Sequence, residues 1–167
     1  MDKLWSPWRS QYIESFKSDD KEDGCIFCKA INEDINDDKS LVIHKGEHSF
    51  ITLNLYPYNS GHLMAIPYRH LSDFTELNEK ELAELMKYVQ LSMKALKEVV
   101  KPHGFNVGMN LGKAAGAGIH QHLHIHVLPR WTGDTNFMPA IGEVKIISQD
   151  LLVTKKNLVE AINKIIS

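Results

Sequence analysis

The sequence predicts an α+β domain: a mainly antiparallel sheet of about five strands, with one long helix and a C-terminal helix. Two patterns favour this class. Short apolar stretches bounded by turn residues are typical of strands, and two longer segments carry apolar residues at helical spacing. With 167 residues, the chain is long enough to bury a core as a single domain.

The first part of the chain supplies three of the strands. A short helix or turn is predicted at residues 25–31, between two charged loops. Strands are predicted at residues 41–44, 48–54 and 62–66. The Asn-Ser-Gly sequence at residues 59–61 predicts a turn between the last two strands.

A long helix follows the third strand. Asn78 and Glu81, three residues apart, match a capping box, in which each side chain accepts a backbone N–H from the other residue. Pro102 and Gly104 predict the end of this helix. One apolar stripe is expected to face the core, and it consists of Leu82, Leu85, Met86, Val89, Met93, Leu96 and Val100.

The last part of the chain predicts two more strands and a second helix. A strand at residues 105–110 precedes a loop of small residues at 112–118 and then a histidine-rich strand. The final amphipathic helix is predicted from about Lys155, with Leu158, Ile162 and Ile165 facing inward.

Four histidines alternate with other residues in the histidine-rich strand. They are His120, His122, His124 and His126, and the residues between them are mostly apolar. Residues two apart lie on the same face of a strand, so all four imidazoles are predicted on one face and the apolar row on the core side. Four groups that titrate near neutral pH on one rigid element indicate chemistry rather than packing.

Three interpretations of this strand remain open from the residues alone. A pH-sensitive polar patch is the simplest. A His-x-His pair could hold zinc, copper or iron. A neutral imidazole could also act as a nucleophile at phosphorus, with neighbouring imidazoles donating hydrogen bonds to the oxyanion. Residues 107–133 contain no Asp or Glu, so this segment supplies no carboxylate base for a catalytic zinc.

Composition restricts the partners and the location. Nineteen basic and twenty-one acidic side chains give a net charge of -2, which provides no basic field for nucleic acid. No apolar run approaches membrane-spanning length, and the N-terminus lacks the apolar core of a signal peptide. Two cysteines without a secretion signal indicate thiols in a reducing compartment. A cytoplasmic protein without a nucleic-acid or membrane partner is therefore expected.

Several motifs together resemble those of the histidine-triad superfamily of nucleotidyl hydrolases and transferases. The triad signature is matched by His122-Leu-His-Ile-His-Val-Leu-Pro-Arg130. The nucleotide-binding strand pair is matched by Phe50-Ile-Thr-Leu-Asn54 with Pro57, and by Gly61-His-Leu-Met-Ala-Ile-Pro67. Asn110-Leu-Gly112 resembles the Asn-x-Gly that precedes the triad.

Further markers resemble one branch of this superfamily, the bacterial diadenosine-tetraphosphate phosphorylase-like and fragile-histidine-triad-like branch. These markers are Leu4-Trp-Ser-Pro-Trp-Arg9, Gly116-Ala-Gly-Ile119 and residues 129–137. The chain departs from many family hydrolases at Gly118-Ile119, where they carry Gln followed by Ser or Thr. Without these polar side chains, either water or inorganic phosphate could be the acceptor in the reaction that the resemblance implies.

The resemblance implies a role for each matching residue. His124 would be the nucleophile on the α-phosphate, His126 would donate to the phosphate oxygens, and His122 would be the first triad histidine. His62 and Asn54 would lie near the ribose and phosphate. The other nucleotide-binding residues implied are Asn110 and Gly118 near the phosphate and Leu53, Ile43 and Phe50 around the base. His120 receives no role.

The cysteines form a Cys-x-x-Cys pair, Cys25 and Cys28. Alone, this pair could be a redox pair or half of a zinc site. The resemblance implies that His70 and His122 complete a structural zinc site, with no organic cofactor.

The resemblance also implies a domain plan and a function. Residues 1–167 would form a single domain, with an N-terminal arm at 1–24, a core with the nucleotide site at 25–130 and a C-terminal extension at 131–167. A homodimer with a small-molecule nucleotide substrate is expected. The implied reaction is cleavage of dinucleoside polyphosphates through a nucleotidyl-histidine. The alternatives are a nucleoside phosphoramidate hydrolase and a regulatory protein that binds adenine nucleotides without turnover.

Overall fold

The computed structural model describes residues 24–134 and 150–167. The elements in chain order are α1 (Ile26–Ala30), β1 (Val42–Lys45), β2 (Ser49–Leu53), β3 (Leu63–Pro67), α2 (Glu79–Val100), β4 (Gly104–Gly108), β5 (Ile125–Arg130) and α3 (Leu151–Ile166). Two short 3₁₀ turns lie at Phe74–Glu76 and Lys113–Ala115. The N-terminal arm, part of the C-terminal extension and the branch markers at 4–9 and 135–137 lie outside the described residues. The single-domain plan therefore stays a prediction.

The five strands form one sheet in the order β1-β2-β3-β5-β4. Every neighbouring pair is antiparallel, so the predicted fold class is confirmed. The β1–β2 register shifts between Val42 and His44, which is an irregularity of the β-bulge type. The sheet order places β3 next to β5, and this pairing brings the middle of the chain to the histidine-rich segment.

The two faces of the sheet carry separate apolar clusters. On one face, Leu63 and Val127 pack with Leu85 and Leu96 of α2 and with Leu158 of α3. The other face has a smaller cluster, which contains Cys25, Phe27, Phe50, Met64 and Ile119. The helices α2 and α3 cover the first face only. The second face is therefore the one where a cavity can form.

The predicted capping box of α2 is present, but its predicted apolar stripe is partly wrong. The Asn78 side chain accepts from the Glu81 N–H, and the Glu81 carboxylate accepts from the Asn78 N–H. Leu82 and Met86 are 37% and 47% exposed. Successive residues advance about 100° around a helix, and the buried arc is centred on Leu85, Ser92 and neighbouring positions. Leu82 and Met86 lie at the margin of that arc.

The C-terminal helix begins earlier than predicted. It starts at Leu151 rather than at about Lys155, because the Asp150 carboxylate caps it by accepting the N–H groups of Leu152 and Val153. Leu158 and Ile162 are fully buried as predicted. The earlier start places the first turn of α3 beside the cavity described below.

The histidine-rich strand is shorter than predicted. Pairing with β3 ends at Ala65–Ile125, so β5 contains only His126 of the four histidines. Upstream, the chain leaves the ladder, and the Leu123 N–H donates to the Leu71 carbonyl. The predicted alternation of faces nevertheless holds for Leu123, Ile125 and Val127, which all join the helix-covered cluster.

No helix in residues 24–134 or 150–167 is long and apolar enough to cross a membrane.

Glu81 provides a test of how the beginning of α2 is held. Its carboxylate accepts from Arg69 Nε and Nη2 and from the Asn78 N–H. The Arg69 hydrogen bond is the largest cause that lowers the pKa of Glu81. A lowered pKa in the folded state stabilises the fold above the unfolded pKa of about 4.3, and this contribution is lost as the pH falls through the folded value.

We therefore expect Glu81→Gln to lower the free energy of unfolding by about 1 kcal/mol at pH 7. The difference from the wild type should shrink as the pH falls below about 4, where the wild-type carboxyl is itself protonated. Urea unfolding at several pH values measures this. The exposed Glu98 on the same helix gives the matched control, Glu98→Gln. A Glu81 effect that is independent of pH would contradict the expectation.

Candidate functional site

Two cysteines and two histidines meet at one end of β3. Cys25 precedes α1, Cys28 lies within it, His70 follows β3 and His122 precedes β5. Their possible ligand atoms all lie within 4.8 Å of one another. The structure thus brings the four sequence-predicted metal ligands together, close enough to bind one metal ion.

The distances suit a tetrahedral ion. His122 Nδ1 lies 3.4 Å from Cys25 Sγ and 3.6 Å from Cys28 Sγ, and His70 Nδ1 lies 3.3 Å from Cys28 Sγ. A tetrahedral zinc with bonds of about 2.3 Å to sulfur and about 2.0 Å to nitrogen would separate S and N by roughly 3.5 Å. Two thiolates and two imidazoles are also a usual zinc donor set. The residues fit a zinc ion.

A backbone carbonyl fixes the protonation of His122. Its Nε2 lies 2.9 Å from the Pro67 carbonyl oxygen, which can only accept, so Nε2 carries the proton and donates it. Nδ1 then keeps its lone pair toward the cysteines, as metal binding requires. Burial lowers the pKa of His122 to about 4, which also favours the neutral imidazole.

His124 has the proton on its other ring nitrogen. Its Nδ1 lies 2.9 Å from the His122 carbonyl oxygen and therefore donates to it. This leaves the lone pair on Nε2, the nitrogen that would act as a nucleophile. Burial lowers the pKa of His124, which favours the neutral ring. The His124 ring also contacts Phe27, with centroids 5.1 Å apart.

His62 and His126 form a second hydrogen-bonded pair. The Tyr58 N–H donates to His62 Nδ1 over 3.1 Å, so the proton of a neutral His62 lies on Nε2. His62 Nε2 lies 2.9 Å from His126 Nδ1 and donates to it. A neutral His126 then carries its proton on Nε2, at the ring edge away from His62. His126 can therefore donate a hydrogen bond while His124 keeps a free lone pair.

Asn54 supports this pair from the end of β2. The Tyr56 N–H donates to Asn54 Oδ1 over 3.0 Å, which directs the amide nitrogen Nδ2 to 3.3 Å from His62 Nδ1. His62 is fully buried. It was expected near the ribose and phosphate, and this role stays a prediction; in the structure its Nε2 contacts His126.

A cavity of about 660 Å³ opens beside the histidines. Leu53 and Asn54, both expected at the nucleotide, line it. The lining residues that the sequence reasoning missed include Phe27, Thr52, Met64, Ile119, Leu151 and Leu152. Met64 pairs with His126 in the β3–β5 register, which places this wall next to the histidines.

Ile43 and Phe50 were both expected in the base pocket. Ile43 packs in the cluster beneath α2. Phe50 stacks on Tyr68 with centroids 5.8 Å apart and packs in the same cluster as the cavity-lining Met64. Neither lines the cavity. Thr52 could have been found from the sequence, because it alternates with Phe50 and Asn54 along β2 and lies opposite Met64.

The remaining predicted positions lie in the loop between β4 and β5. Asn110, Gly118 and His120 are all half-buried there, and none of them lines the cavity. The nucleotide and catalytic roles assigned from the resemblance stay predictions.

Comparison with known proteins gives consistent results. A family model described as the HIT domain matches residues 36–133. The AP-4-A phosphorylase of Mycobacterium tuberculosis (strain ATCC 25618 / H37Rv) is 42% identical over 161 residues, which cover 95% of this chain and 83% of that protein. An uncharacterized HIT-like protein of Methanocaldococcus jannaschii, MJ0866, is 35% identical over 75% of this chain and 93% of its own length.

Two solved structures have the same fold. The hypothetical histidine triad nucleotide-binding protein ST2152 from Sulfolobus tokodaii is 30% identical, with a TM-score of 0.68 over 84% of this chain and 93% of that one. A Zn-bound histidine triad family protein from Mycobacterium smegmatis has a TM-score of 0.69 over 87% of this chain and 97% of its own. At 24% identity, the second match shows the fold alone.

Proposed function

The chain belongs to the HIT-domain family, and we propose that this enzyme cleaves dinucleoside polyphosphates such as diadenosine tetraphosphate by nucleotidyl transfer. The relative that is 42% identical and named AP-4-A phosphorylase supports this substrate class. One observation carries the chemistry: the Nδ1–H of His124 is held by the His122 carbonyl, and this leaves Nε2 as a free nucleophile beside an apolar cavity.

The proposed reaction has two steps. In the first, the Nε2 lone pair of His124 attacks the α-phosphorus, the bond from phosphorus to the bridging oxygen breaks, and a nucleoside polyphosphate leaves. In the second, an acceptor oxygen attacks the same phosphorus and the bond to Nε2 breaks, which restores the neutral ring. His126 donates its Nε2–H to the phosphoryl oxygens as charge develops on them. His62 orients that donor.

The cavity is the proposed nucleoside site. Its lining is mostly apolar, as a purine ring requires, and Leu53, Thr52 and Met64 form part of the wall. Asn54 is proposed near the ribose, at the end of the cavity next to His62. Asn110 and Gly118 are proposed near the phosphate. Ile43 packs in the helix-covered cluster and is left out of the proposed site. Phe50 does not line the cavity, but it packs in the same cluster as Met64 and Ile119 and is proposed to support the cavity wall.

Inorganic phosphate is the proposed acceptor. Gly118 and Ile119 stand where many family hydrolases carry polar side chains, and the named relative is a phosphorylase. The loop of small residues at 112–118 is proposed to admit the incoming anion. Transfer to phosphate yields a nucleoside diphosphate, whereas transfer to water would yield a nucleoside monophosphate.

The proposed metal is a structural zinc held by Cys25, Cys28, His70 and His122. The donor set and the distances support this choice. The ion would supply a fixed crosslink between α1, the segment after β3 and the segment before β5. His122 would bind through Nδ1 and remain hydrogen-bonded to Pro67 through Nε2. No reaction step passes through the metal, and no organic cofactor is proposed.

The proposed assembly is a homodimer whose sheets join edge to edge. β4 lies at the edge of the sheet, and an unpaired edge strand pairs readily with another strand. Val107 and Leu111 near this edge are 44% and 46% exposed.

Light scattering should give twice the 19.0 kDa mass of the chain, and Val107→Lys should shift the protein toward the monomer. A wild-type monomer at micromolar concentration would contradict the proposal.

A cytoplasmic location stays a prediction.

Turnover of diadenosine tetraphosphate, with and without inorganic phosphate, tests the reaction. We expect ADP and ATP to form only when phosphate is present, because phosphate accepts the nucleotidyl group. His124→Asn should lower kcat by at least about 10³-fold, since it removes the nucleophile. His103→Asn is the matched control, because His103 is an exposed histidine outside the site.

The other outcomes are also informative. AMP and ATP formed without phosphate would establish a hydrolase. Turnover that survives His124→Asn would refute the nucleotidyl-histidine. Nucleotide binding without turnover would favour a regulatory protein that binds adenine nucleotides. Cleavage of nucleoside phosphoramidates alone would favour a phosphoramidate hydrolase.

Metal analysis tests the zinc site. We expect about one zinc per chain in the purified protein, and Cys28→Ser should abolish most of this binding. The variant should also lose about 3 kcal/mol of unfolding free energy at saturating zinc, because a bound metal stabilises the folded state. Cys28→Ser that retains full zinc occupancy would contradict the assignment. Thermal unfolding with and without a chelator gives the same comparison for the wild type.

A further inference from the structure

The Cys-x-x-Cys segment, residues Cys25–Cys28, forms a short turn at the candidate metal site, the metal turn. It contains two metal-site cysteines, and it also forms part of the cavity wall and touches the nucleophile. We infer that Phe27, within this turn, is a positioning residue that couples the metal site to His124. The inference rests on the proposed function for its catalytic consequence, but the coupling itself is a property of the structure.

The first connection runs through side chains. Phe27 is 3% exposed and contacts two histidines at once. Its ring meets that of His122 edge-on, with centroids 5.5 Å apart and an angle of 85°. It also contacts the His124 ring, with centroids 5.1 Å apart. Phe27 therefore packs against a metal ligand on one side and the nucleophile on the other.

The second connection runs through the backbone of His122. The imidazole of His122 faces the cysteines through Nδ1, while its carbonyl oxygen accepts the Nδ1–H of His124 over 2.9 Å. The ring position of His122 and the direction of its carbonyl are properties of one residue. A metal ion that fixes the ring therefore restricts the carbonyl that sets the tautomer of His124.

The metal turn has little stability of its own. The helix α1 has only five residues, and its N-cap residue, Cys25, makes no side-chain capping hydrogen bond. Isolated helices of this length are not stable in water. The position of Phe27 therefore depends on packing and on the crosslink that the two cysteines can make. Loss of the metal is expected to free the Phe27 ring and, with it, the orientation of His124.

The same turn offers a matched control. Ile26 and Phe27 both line the cavity, but Ile26 is 38% exposed and lies one residue away from the ring that contacts His124. A substitution at Ile26 changes the cavity wall from the same helix. If Phe27 acts only as cavity wall, the two positions will behave alike.

The experiment uses the full zinc-loaded chain and four proteins: the wild type, Phe27→Leu, Phe27→Met and Ile26→Ala. The readouts are zinc content, kcat and KM for diadenosine tetraphosphate, AMP affinity, and the ring ¹⁵N and Nδ1–H signals of His124 by NMR. We expect both Phe27 variants to keep zinc, to lose about tenfold in kcat through misplacement of the nucleophile, and to shift the His124 signals. Ile26→Ala should raise KM and weaken AMP binding while the His124 signals stay unchanged.

Chelation of the wild type is the second arm. We expect removal of zinc to move the His124 ring signals in the same direction as the Phe27 substitutions, with the sheet resonances unchanged. Unchanged His124 signals after chelation, or Phe27 variants that match Ile26→Ala, would overturn the inference. Global unfolding of the zinc-free protein would also overturn it, because the metal would then act on the whole fold.

The NMR arm separates this inference from the proposed function. The His124 signals are measured without any substrate. A wild type that fails to cleave dinucleoside polyphosphates would refute the function and leave the coupling to be decided by chelation and by the Phe27 variants.

Discussion

The antiparallel pairing of β3 with β5 is the interaction on which the rest of the site depends. It joins Leu63 to Val127 and Ala65 to Ile125, residues about sixty positions apart in the chain. Each end of this short ladder holds one histidine group. At one end, His62 meets His126, and at the other, the Pro67 carbonyl accepts from His122. A shift of register by one residue would separate both groups and turn the apolar row of β5 away from the helices.

Much of the fold could be predicted from the sequence because local signals were strong. The capping box of α2, the succession of strands along the chain and the alternation around Ile125 depend on neighbouring residues only. The predictions failed where contacts between distant parts of the chain determine which side chains are buried. The spacing of apolar residues along α2 could not show that Leu82 and Met86 lie at the margin of the buried arc. Alternation along a strand does not show which face of the sheet meets a cavity, as the position of Ile43 illustrates.

The site was less predictable than the fold. Cys25 and His122 are separated by 97 positions, and no spacing rule connects them, so their grouping required a resemblance to known proteins. Nothing in the sequence indicated the role of Phe27, because a phenylalanine between two cysteines is an ordinary apolar residue. Leu151 and Leu152 reach the cavity only because α3 begins one turn earlier than its apolar pattern indicated.

The protonation of the site histidines is set mainly by main-chain groups: the Pro67 and His122 carbonyls and the Tyr58 N–H. Peptide groups are the same at nearly every position, so a side-chain replacement at 58 or 67 leaves the hydrogen-bonding atom in place. Many side-chain substitutions around the site therefore leave the protonation of its histidines unchanged. Its vulnerable points are the histidines themselves and any insertion, deletion or proline that displaces the backbone.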